Sequence, residues 1–264
     1  MIVTLLTDFG LRDTYVAEMK GVILSHSPDA SIVDISHDVE KFNVHQGAYF
    51  LARSIDFFPV GTIHLAVVDP EVGSARRPIA IETTTATLIG PDNGLLFPAA
   101  KALGIRRCFL IENKTLLPQH ISSTFHGRDI FAHAAGYIAS GMLMNKIGRE
   151  ISDIMTSNRS EPRLSKYSVE GAVIHVDSFG NIVTNITLEA LNSVGANFGK
   201  PLRCLIDNKP IGKLQLLETY SKVGSGSSVA VIGSSGFIEV SINQGNAAEQ
   251  LGVKRGQTVL VEVE

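Results

Sequence analysis

The chain contains no tryptophan and only two cysteines among its 264 residues. Cys108 and Cys204 each lie within an apolar run, so we expect reduced thiols in the core and no disulfide. With no other cysteine present, a zinc cluster built on cysteine ligands is excluded.

Positive charge is not concentrated anywhere along the chain. Lysine and arginine together number 23 against 26 aspartates and glutamates, and no basic block occurs. Nucleic-acid-binding proteins gather positive charge on one face or along one helix. The composition therefore predicts no nucleic-acid partner and favours a nucleotide-sized ligand over a polymer.

Long apolar runs are also missing. None approaches the roughly 18 residues that a membrane-spanning helix needs. Residues 1–8 lack the basic region and the cleavage site of a signal peptide. We therefore expect a cytoplasmic protein with no membrane partner.

Motifs that mark common cofactor and metal sites are absent from the sequence. No Gly-x-x-x-x-Gly-Lys-Ser/Thr loop occurs, and no Gly-x-Gly-x-x-Gly follows the first predicted strand, so neither an ATPase nor a nicotinamide enzyme is indicated. The eight histidines include no His-x-x-x-His pair, and no calcium-loop pattern is present. We predict no cofactor and no metal. A metal-dependent phosphoesterase is an alternative, because Asp34, His37 and Asp38 lie close together in the sequence.

The first part of the chain alternates short β-rich runs with helical periodicity. This alternation predicts parallel strands joined by crossover helices. The predicted strands are 2–7, 31–35, 62–68, 78–83, 87–89 and 107–112, and the predicted helices are 14–25, 44–57 and 130–140. We predict an α/β N-terminal domain, residues 1–157, with a mostly parallel central sheet.

The pattern changes after a polar, proline-containing stretch at residues 156–163. That composition predicts an interdomain linker, residues 158–168. Beyond it, short β runs at 169–176, 181–186, 202–206, 228–232, 237–242 and 258–263 are separated by glycine-bearing turns. We predict a small all-β C-terminal domain, a barrel or a sandwich, over residues 169–264.

Acidic residues follow three predicted strands of the first domain, at Asp8, Asp69 and Asp92. Ligands of open parallel sheets bind at the carboxyl ends of the strands, so we expect these carboxylates to share one crevice. The alternative for Asp8 and Asp92 is a turn role, since both come just before a glycine. Asp69 is the strongest candidate, because residues 69–76 bring Arg76 into the same turn.

A polar loop at residues 122–129 contains His126, Arg128 and Asp129. Charged neighbours can fix the tautomer of a histidine, which makes His126 a site candidate; the alternative is a solvated or capping residue. Arg128 and Asp129 are predicted to form a structural ion pair, and the alternative is a direct part in catalysis. Asp13 comes just before the predicted helix 14–25 and has the alternative interpretation of its N-cap.

In the second domain, Asp177, Phe179 and Asn181 place a carboxylate, an aromatic ring and an amide within five positions at a strand break. An aromatic base with a polar edge requires such groups. The alternative is a hairpin turn with Phe179 packed into the barrel. The turn at 233–237, which contains Ser234 and Phe237, is similar but carries less chemistry.

Six motifs, taken in their order along the chain, resemble those of the S-adenosyl-L-methionine hydroxide adenosyltransferases, the hydrolase relatives of the fluorinases and chlorinases. The resemblance covers nearly the whole chain. The motifs are Thr7-Asp8-Phe9-Gly10 with Asp13, Met19-Lys20-Gly21, Val68-Asp69-Pro70 through Arg76-Arg77, Pro91-Asp92-Asn93-Gly94, Thr124-Phe125-His126-Gly127-Arg128-Asp129, and Asp177 with Phe179-Gly180-Asn181.

The resemblance implies hydrolysis of S-adenosyl-L-methionine to adenosine and L-methionine, by attack of a water-derived hydroxide on the ribose 5′ carbon. The family's catalytic Asp, Arg and His fall on Asp69, Arg76 and His126. In the halogenating relatives the acidic strand end and this histidine are replaced, so their presence here favours water as the nucleophile.

The same resemblance implies a set of substrate-binding residues. Asp8 is expected to bind the ribose hydroxyls, and Asp13 and Asp177 the methionine portion. The other implied substrate contacts are Phe179, Asn181, Asn93, Phe125, Ser234 and Phe237. The family further implies a homotrimer, with the substrate between the N-terminal domain of one subunit and the C-terminal domain of its neighbour.

Two positions depart from the family pattern, with Glu71 where glycine is usual and His133 where proline is usual. If the loop around position 71 needs a positive φ or lines the pocket, a carboxylate beside Asp69 would shift pKa values or block the ligand. The alternative function is then a non-catalytic module that binds adenosine or S-adenosyl-L-methionine.

Overall fold

A computed structural model describes residues 1–157 and 161–263 of the chain. Residues 158–160, the start of the predicted linker, lie outside the described residues. The chain divides into two compact units, Met1–Asn158 and Arg159–Glu264, which are described separately below. The exact bounds predicted for the two domains and the linker stay a prediction.

The first unit is built on one seven-stranded sheet with the strand order β2-β1-β3-β5-β4-β6-β7. Strands β2, β1, β3 and β5 pair in parallel, and each of β4, β6 and β7 pairs antiparallel to the strand before it in that order. Five strands therefore share one direction, which confirms the mostly parallel sheet. The strands are β1 Ile2–Thr7, β2 Ser31–Ser36, β3 Ile63–Val67, β4 Pro78–Thr83, β5 Thr87–Pro91, β6 Ile105–Leu110 and β7 Glu150–Ile151.

Helices cover both faces of this sheet. Successive residues of a strand point to opposite faces, so neighbours such as Leu5 and Leu6 enter two different cores. One core contains Met19 and Ile23 of α1 with residues of α4, and the other contains Leu51 of α2 with residues of α3. The helices are α1 Tyr15–His26, α2 Val44–Ser54, α3 Phe97–Leu103 and α4 His133–Ala139, the last preceded by a π-helical turn, Gly127–Ala132.

Most predicted elements of this unit are confirmed, with differences at their ends. The predicted helix 44–57 ends at Ser54 and continues as a 3₁₀ turn, Ile55–Phe57. Strand β6 begins two residues earlier than predicted, because Gly104, at φ 75°, ends α3 and the strand follows at once. Helix α3 was not predicted, since its seven residues give too short a periodic signal and include a proline.

The second unit is a closed barrel of seven strands, which confirms the all-β prediction. Its strand order is β10-β14-β13-β12-β11-β15-β9, and pairing of β9 with β10 closes the ring, while β8 pairs with β9 outside it. The elements are β8 Arg163–Leu164, β9 Ser168–Val176, β10 Ile182–Thr187, α5 Leu188–Ser193, β11 Pro201–Ile206, β12 Lys209–Leu217, β13 Ser228–Ile232, β14 Phe237–Ile242, α6 Ala247–Leu251 and β15 Thr258–Val263.

Strand β12 is absent from the sequence prediction. Its first half contains Pro210 and Gly212, residues that disfavour strands, and interrupts the alternation that begins at Leu214. The missed signal is the two-residue turn before it, where Asp207 and Asn208 have φ of 47° and 63°. Aspartate followed by asparagine supports such a tight hairpin, because both residues tolerate the left-handed region.

Among the described residues, no helix is long and apolar enough to cross a membrane.

A buried histidine makes the stability of the first unit depend on pH. His64 on β3 is 1% exposed, and its Nδ1 lies 2.8 Å from the Thr4 hydroxyl. Burial lowers the pKa of His64 from 6.5 to about 4. The unfolded chain therefore binds this proton more readily, and the free energy of unfolding falls as pH drops from 6.5 towards 4, by about 3 kcal/mol.

Urea unfolding at pH 7.5 and pH 4.5 measures this loss. We expect the His64→Gln variant to be less sensitive to acid than the original chain, because glutamine does not titrate. An identical decrease in both proteins would contradict this assignment.

Candidate active site

Three neighbouring parallel strands, β1, β3 and β5, carry the acidic residues that the sequence singled out. Asp8 follows β1, Asp69 lies two residues beyond β3, and Asp92 follows β5. Since the three strands run in the same direction, their carboxyl ends meet at one edge of the sheet. Asp8 and Asp92 are buried. The side chain of Asp69 is 4% exposed.

Arg76 folds back onto Asp69 across a tight turn. The Val72 amide donates to the Asp69 carbonyl at 3.3 Å, and Gly73 continues the turn with φ 81°. Arg76 Nε donates to the two carboxylate oxygens of Asp69 at 3.0 and 2.9 Å, and Nη2 donates to Oδ2 as well. With side-chain exposures of 3% and 4%, the two residues form a buried ion pair.

His126 extends this pair into a line of three side chains. Arg76 Nη2 lies 2.9 Å from His126 Nδ1. Arginine only donates hydrogen bonds, so Nδ1 accepts and the proton of the neutral ring sits on Nε2. Burial, followed by the charge of Arg76, lowers the pKa of His126. The ring is therefore neutral near pH 7, with an N–H donor on its far side.

One nitrogen of the guanidinium stays unused. Arg76 Nη1 is buried and has no hydrogen-bond partner among the residues that the structure describes. The guanidinium carbon lies 5.1 Å from the centre of the Phe131 ring, which packs against it. A buried donor of this kind, beside a fixed positive charge, suits an anionic oxygen.

Asp8 lies in a pocket of about 610 Å³ that Asp13 also lines. Its Oδ2 accepts from the Phe42 amide at 2.8 Å, and its carbonyl accepts from Lys41 Nζ. Asp13 is exposed. The alternative in which Asp13 caps α1 is wrong, because Thr14 occupies the N-cap position.

Phe125 is buried in an aromatic cluster next to the catalytic candidates. Its ring centre lies 5.8 Å from that of Phe9 and 5.0 Å from that of Tyr15, both edge to face.

The ion pair predicted between Arg128 and Asp129 is confirmed, with Nε 2.6 Å from Oδ1. Asp129 also accepts from the Ser122 amide at 2.8 Å, so it joins the two ends of the loop that carries His126.

Asp92 and Asn93 are engaged with the protein itself. Asp92 pairs with Arg77 and accepts from the Met155 amide at 2.7 Å. Asn93 Nδ2 donates to the Val68 carbonyl at 2.9 Å, directly before Asp69. Asn93 therefore holds the backbone that presents Asp69. Its predicted contact with substrate stays a prediction.

Four of the five predicted site residues of the second unit line one pocket of about 840 Å³. Asp177 organises the β9–β10 turn, accepting from the Phe179 and Asn181 amides at 2.9 and 2.8 Å. Phe179 is 77% exposed and does not pack into the barrel, so the hairpin alternative that placed it there is wrong. Ser234 also lines the pocket, whereas Phe237 is not among its described lining residues.

Sequence reasoning missed two residues of this pocket, Tyr220 and Glu239. Glu239 is buried on β14 between Ile238 and Val240. A carboxylate inside an apolar strand was the available signal. Tyr220 gave none, because it lies in a polar segment with no periodic pattern.

The two departures from the family pattern lie in ordinary settings. Glu71 is exposed and is not among the described residues with positive φ, which in this turn falls on Gly73. His133 lies in α4, where its Nδ1 is 2.9 Å from His26 Nε2. The conformational requirement suspected at position 71 is therefore absent. Among the described residues, no group of three or more His, Cys, Asp or Glu is placed to hold a metal.

The turn between Asp69 and Arg76 depends on Gly73. A Cβ at this position would overlap the Ser123 carbonyl oxygen, in addition to the strain of φ 81°. Gly61 offers a matched control, since its φ is 88° but nothing lies within 4 Å of its Cβ position. We expect Gly61→Ala to cost about 1–2 kcal/mol of unfolding free energy from φ alone.

Gly73→Ala carries the same strain and an overlap, which adds about 1–3 kcal/mol. Urea unfolding of the two variants measures the difference. Equal destabilisation would show that the Ser123 contact does not constrain the turn.

An α/β unit with a buried Asp–Arg pair and a half-buried histidine beside its strand ends, followed by a β-barrel with its own polar pocket, defines a two-domain enzyme class. The chain belongs to the SAM hydroxide adenosyltransferase family. Residues 3–148 match the N-terminal domain of that family, and residues 171–260 match its C-terminal domain. The resemblance drawn from the six motifs is thereby confirmed.

Individual relatives agree with this assignment. The chain is 37% identical over 263 residues to an (R)-S-adenosyl-L-methionine hydrolase of Methanocaldococcus jannaschii, covering 96% of this chain and 92% of the relative. A fluorinase of Nocardia brasiliensis is 29% identical, covering 99% and 97%. The crystal structure of a conserved protein from Thermotoga maritima superposes with a TM-score of 0.93 at 34% identity, covering 99% of both chains.

Proposed function

We propose that this chain hydrolyses S-adenosyl-L-methionine to adenosine and L-methionine by attack of a water-derived hydroxide on the ribose 5′ carbon. The observation that carries the proposal is the line of Asp69, Arg76 and His126, with a buried Asp–Arg pair in which Arg76 Nη1 has no described partner. Family membership and the hydrolase named among the relatives support it.

The substrate brings its own leaving group. The oxygen of the nucleophile forms a bond to C5′ while the C5′–S bond breaks. The electron pair of the C5′–S bond stays on sulfur and converts the sulfonium into the neutral thioether of methionine. No acid is needed on that side. The difficulty is the nucleophile, because water with a pKa of about 15.7 supplies little hydroxide at neutral pH.

The site suits the stabilisation of an anionic oxygen. Arg76 Nη1 and the Nε2–H of His126 are two donors, and burial strengthens the attraction of Arg76 for hydroxide. Both oxygens of Asp69 already accept from Arg76. We therefore assign to Asp69 the task of fixing the guanidinium, and the proton of water leaves to solvent.

The substrate-binding roles remain part of the proposal. Asp8 binds the ribose hydroxyls, and Asp13 and Asp177 bind the methionine portion. The remaining contacts are assigned to Asn93, Phe125, Phe179, Asn181, Ser234 and Phe237. The position of Phe179, an exposed aromatic ring that lines a large pocket together with Asp177 and Asn181, supports a binding role for the second unit.

We also propose a cytoplasmic homotrimer with each substrate held between two subunits. Light scattering of the purified protein tests the assembly, with three times the mass of one chain as the expected result. A monomer that turns over substrate at the full rate would contradict the shared site.

The reaction is tested by mass spectrometry after incubating chelator-treated protein with S-adenosyl-L-methionine in ¹⁸O-labelled water. We expect adenosine labelled at its 5′ oxygen and an equal amount of methionine. Bound ligand without product would select the non-catalytic module instead. Activity that returns only with a divalent ion would select a metal-dependent reaction. Glu71 has no positive φ, so the conformational reason to expect a disabled site does not apply.

A further inference from the structure

The pocket of the second unit is acidic. Asp177, Glu218 and Glu239 line it, and its described lining includes no lysine, arginine or histidine. Glu218 is exposed, and its charge is screened by water. Glu239 differs, because it is 8% exposed on a strand of the barrel wall. A buried carboxylate on a ligand pocket needs a reason, since burial of an ionisable group is costly.

Two neighbours hold Glu239 in place. The Tyr220 hydroxyl donates to Oε2 at 2.7 Å. Gly233 packs against Oε1 so closely that a Cβ there would overlap this oxygen. The side chain is therefore fixed from both sides, which pre-organises it for a ligand.

The second carboxylate oxygen is left without a donor. In the described parts of the chain, Oε1 of Glu239 accepts no hydrogen bond, and Tyr220 is the partner of Oε2 alone. Burial, with a further contribution from Asp177, raises the pKa of Glu239, while the Tyr220 hydrogen bond opposes the shift. An N–H donor from a ligand would satisfy Oε1 and offset that desolvation.

Resting on the proposed function, we infer that Glu239 is a specificity-determining residue that accepts a hydrogen bond from an amino group of the bound substrate. Tyr220 acts as the positioning residue that fixes the carboxylate. A ligand with a carbonyl oxygen or a phosphate at the same place would bring a second hydrogen-bond acceptor against the Glu239 carboxylate. With no donor between the two acceptors, such a ligand would be rejected.

The substrate offers two amino groups, the exocyclic amine of adenine and the α-ammonium of methionine. Both are N–H donors, so Oε1 suits either. Ligands that differ by one amino group separate the two sources. Adenosine and inosine differ at the base, and S-adenosyl-L-methionine and its analogue without the α-amino group differ at the amino acid.

The test is calorimetric titration of the full-length chain and three variants with these four ligands. Glu239→Gln keeps the size of the side chain, Tyr220→Phe removes only the hydroxyl, and Glu218→Gln is the matched control on the same pocket. We expect Glu239→Gln to reduce the preference for the amino-bearing ligand of one pair by about 10- to 100-fold. Tyr220→Phe should give a smaller loss in the same pair, and Glu218→Gln none.

Each outcome decides the assignment, provided that melting temperatures show folded variants. A loss within the adenosine–inosine pair identifies the base amine, and a loss within the other pair identifies the α-ammonium. Unchanged preferences in Glu239→Gln, or an equal loss for both members of each pair, overturns the inference. If the original chain hydrolyses S-adenosyl-L-methionine but Glu239→Gln keeps its preference for the amino-bearing ligands, only the inference about Glu239 is rejected. Absence of hydrolysis rejects the proposed function, and the binding ratios still decide the role of Glu239.

Discussion

Replacing Arg76 by methionine should lower turnover of S-adenosyl-L-methionine by at least about 10²–10³-fold. The change removes the buried positive charge and the unused Nη1 donor that would stabilise the attacking oxygen. It also leaves the Asp69 carboxylate buried without its partner, at a cost of about 3–5 kcal/mol of unfolding free energy. Turnover is measured by product formation, and stability by urea unfolding.

A second variant separates catalysis from folding. Asp69→Leu combined with Arg76→Met replaces the buried ion pair by apolar side chains, a change that is often neutral for stability. We expect the double variant to recover the stability that the single variant loses and to remain inactive. Arg107→Met, which removes a more exposed arginine paired with Glu82, is the control. Recovery of turnover in the double variant would refute the assigned role of Arg76.

The architecture was predictable because hydrophobic patterns with periods of two and of about four residues reflect burial directly. Strands β1, β4, β13, β14 and β15 lie where the sequence places them. The weak points are short or polar elements. Helices α3, α5 and α6 span five to seven residues, and β12 is mostly exposed, so these elements depend on tertiary contacts more than on their own sequence pattern.

Local sequence predicted the grouping of site residues but not their bonding. Asp69 and Arg76 share one turn, so their proximity followed from chain connectivity. The contact of Arg76 with His126 joins residues 50 positions apart and needs the folded sheet. The tautomer of His126 is a consequence of that contact, and no sequence pattern encodes it.

In the pocket of the second unit, the sequence did not predict even the grouping of Glu239 with Tyr220. Glu239 and Tyr220 are 19 positions apart, on a barrel strand and in the segment between β12 and β13, and the pairing of β12, β13 and β14 brings them together. Glu239 belongs to strand β14, and its hydrogen bond with Tyr220 holds its side chain at the pocket. A carboxylate within an apolar strand therefore predicts a hydrogen-bond partner, as Tyr220 is for Glu239.

The hydrogen bond between Arg76 and His126 assigns the histidine a donor role, which substitution can distinguish from a base. His126→Gln keeps an N–H donor near the position of Nε2, whereas His126→Ala keeps none. We expect His126→Ala to lower turnover by about 10²–10³-fold, the usual effect of losing a donor to a developing anion. His126→Gln should retain most of that donor's contribution. Equal losses in both variants would indicate that His126 accepts the proton instead.

The pH dependence gives an independent test of the same contact. Protonation puts an N–H on Nδ1, facing the Nη2 donor of Arg76, and breaks the line of side chains. Because the pKa of His126 is lowered below 6.5, we expect kcat/KM to hold at neutral pH and fall only in the acid range below that value. The fall should be absent in His126→Gln, which has no ring to protonate. An acid limb that persists in the glutamine variant would assign that titration to another group and leave the pH profile without a role for His126.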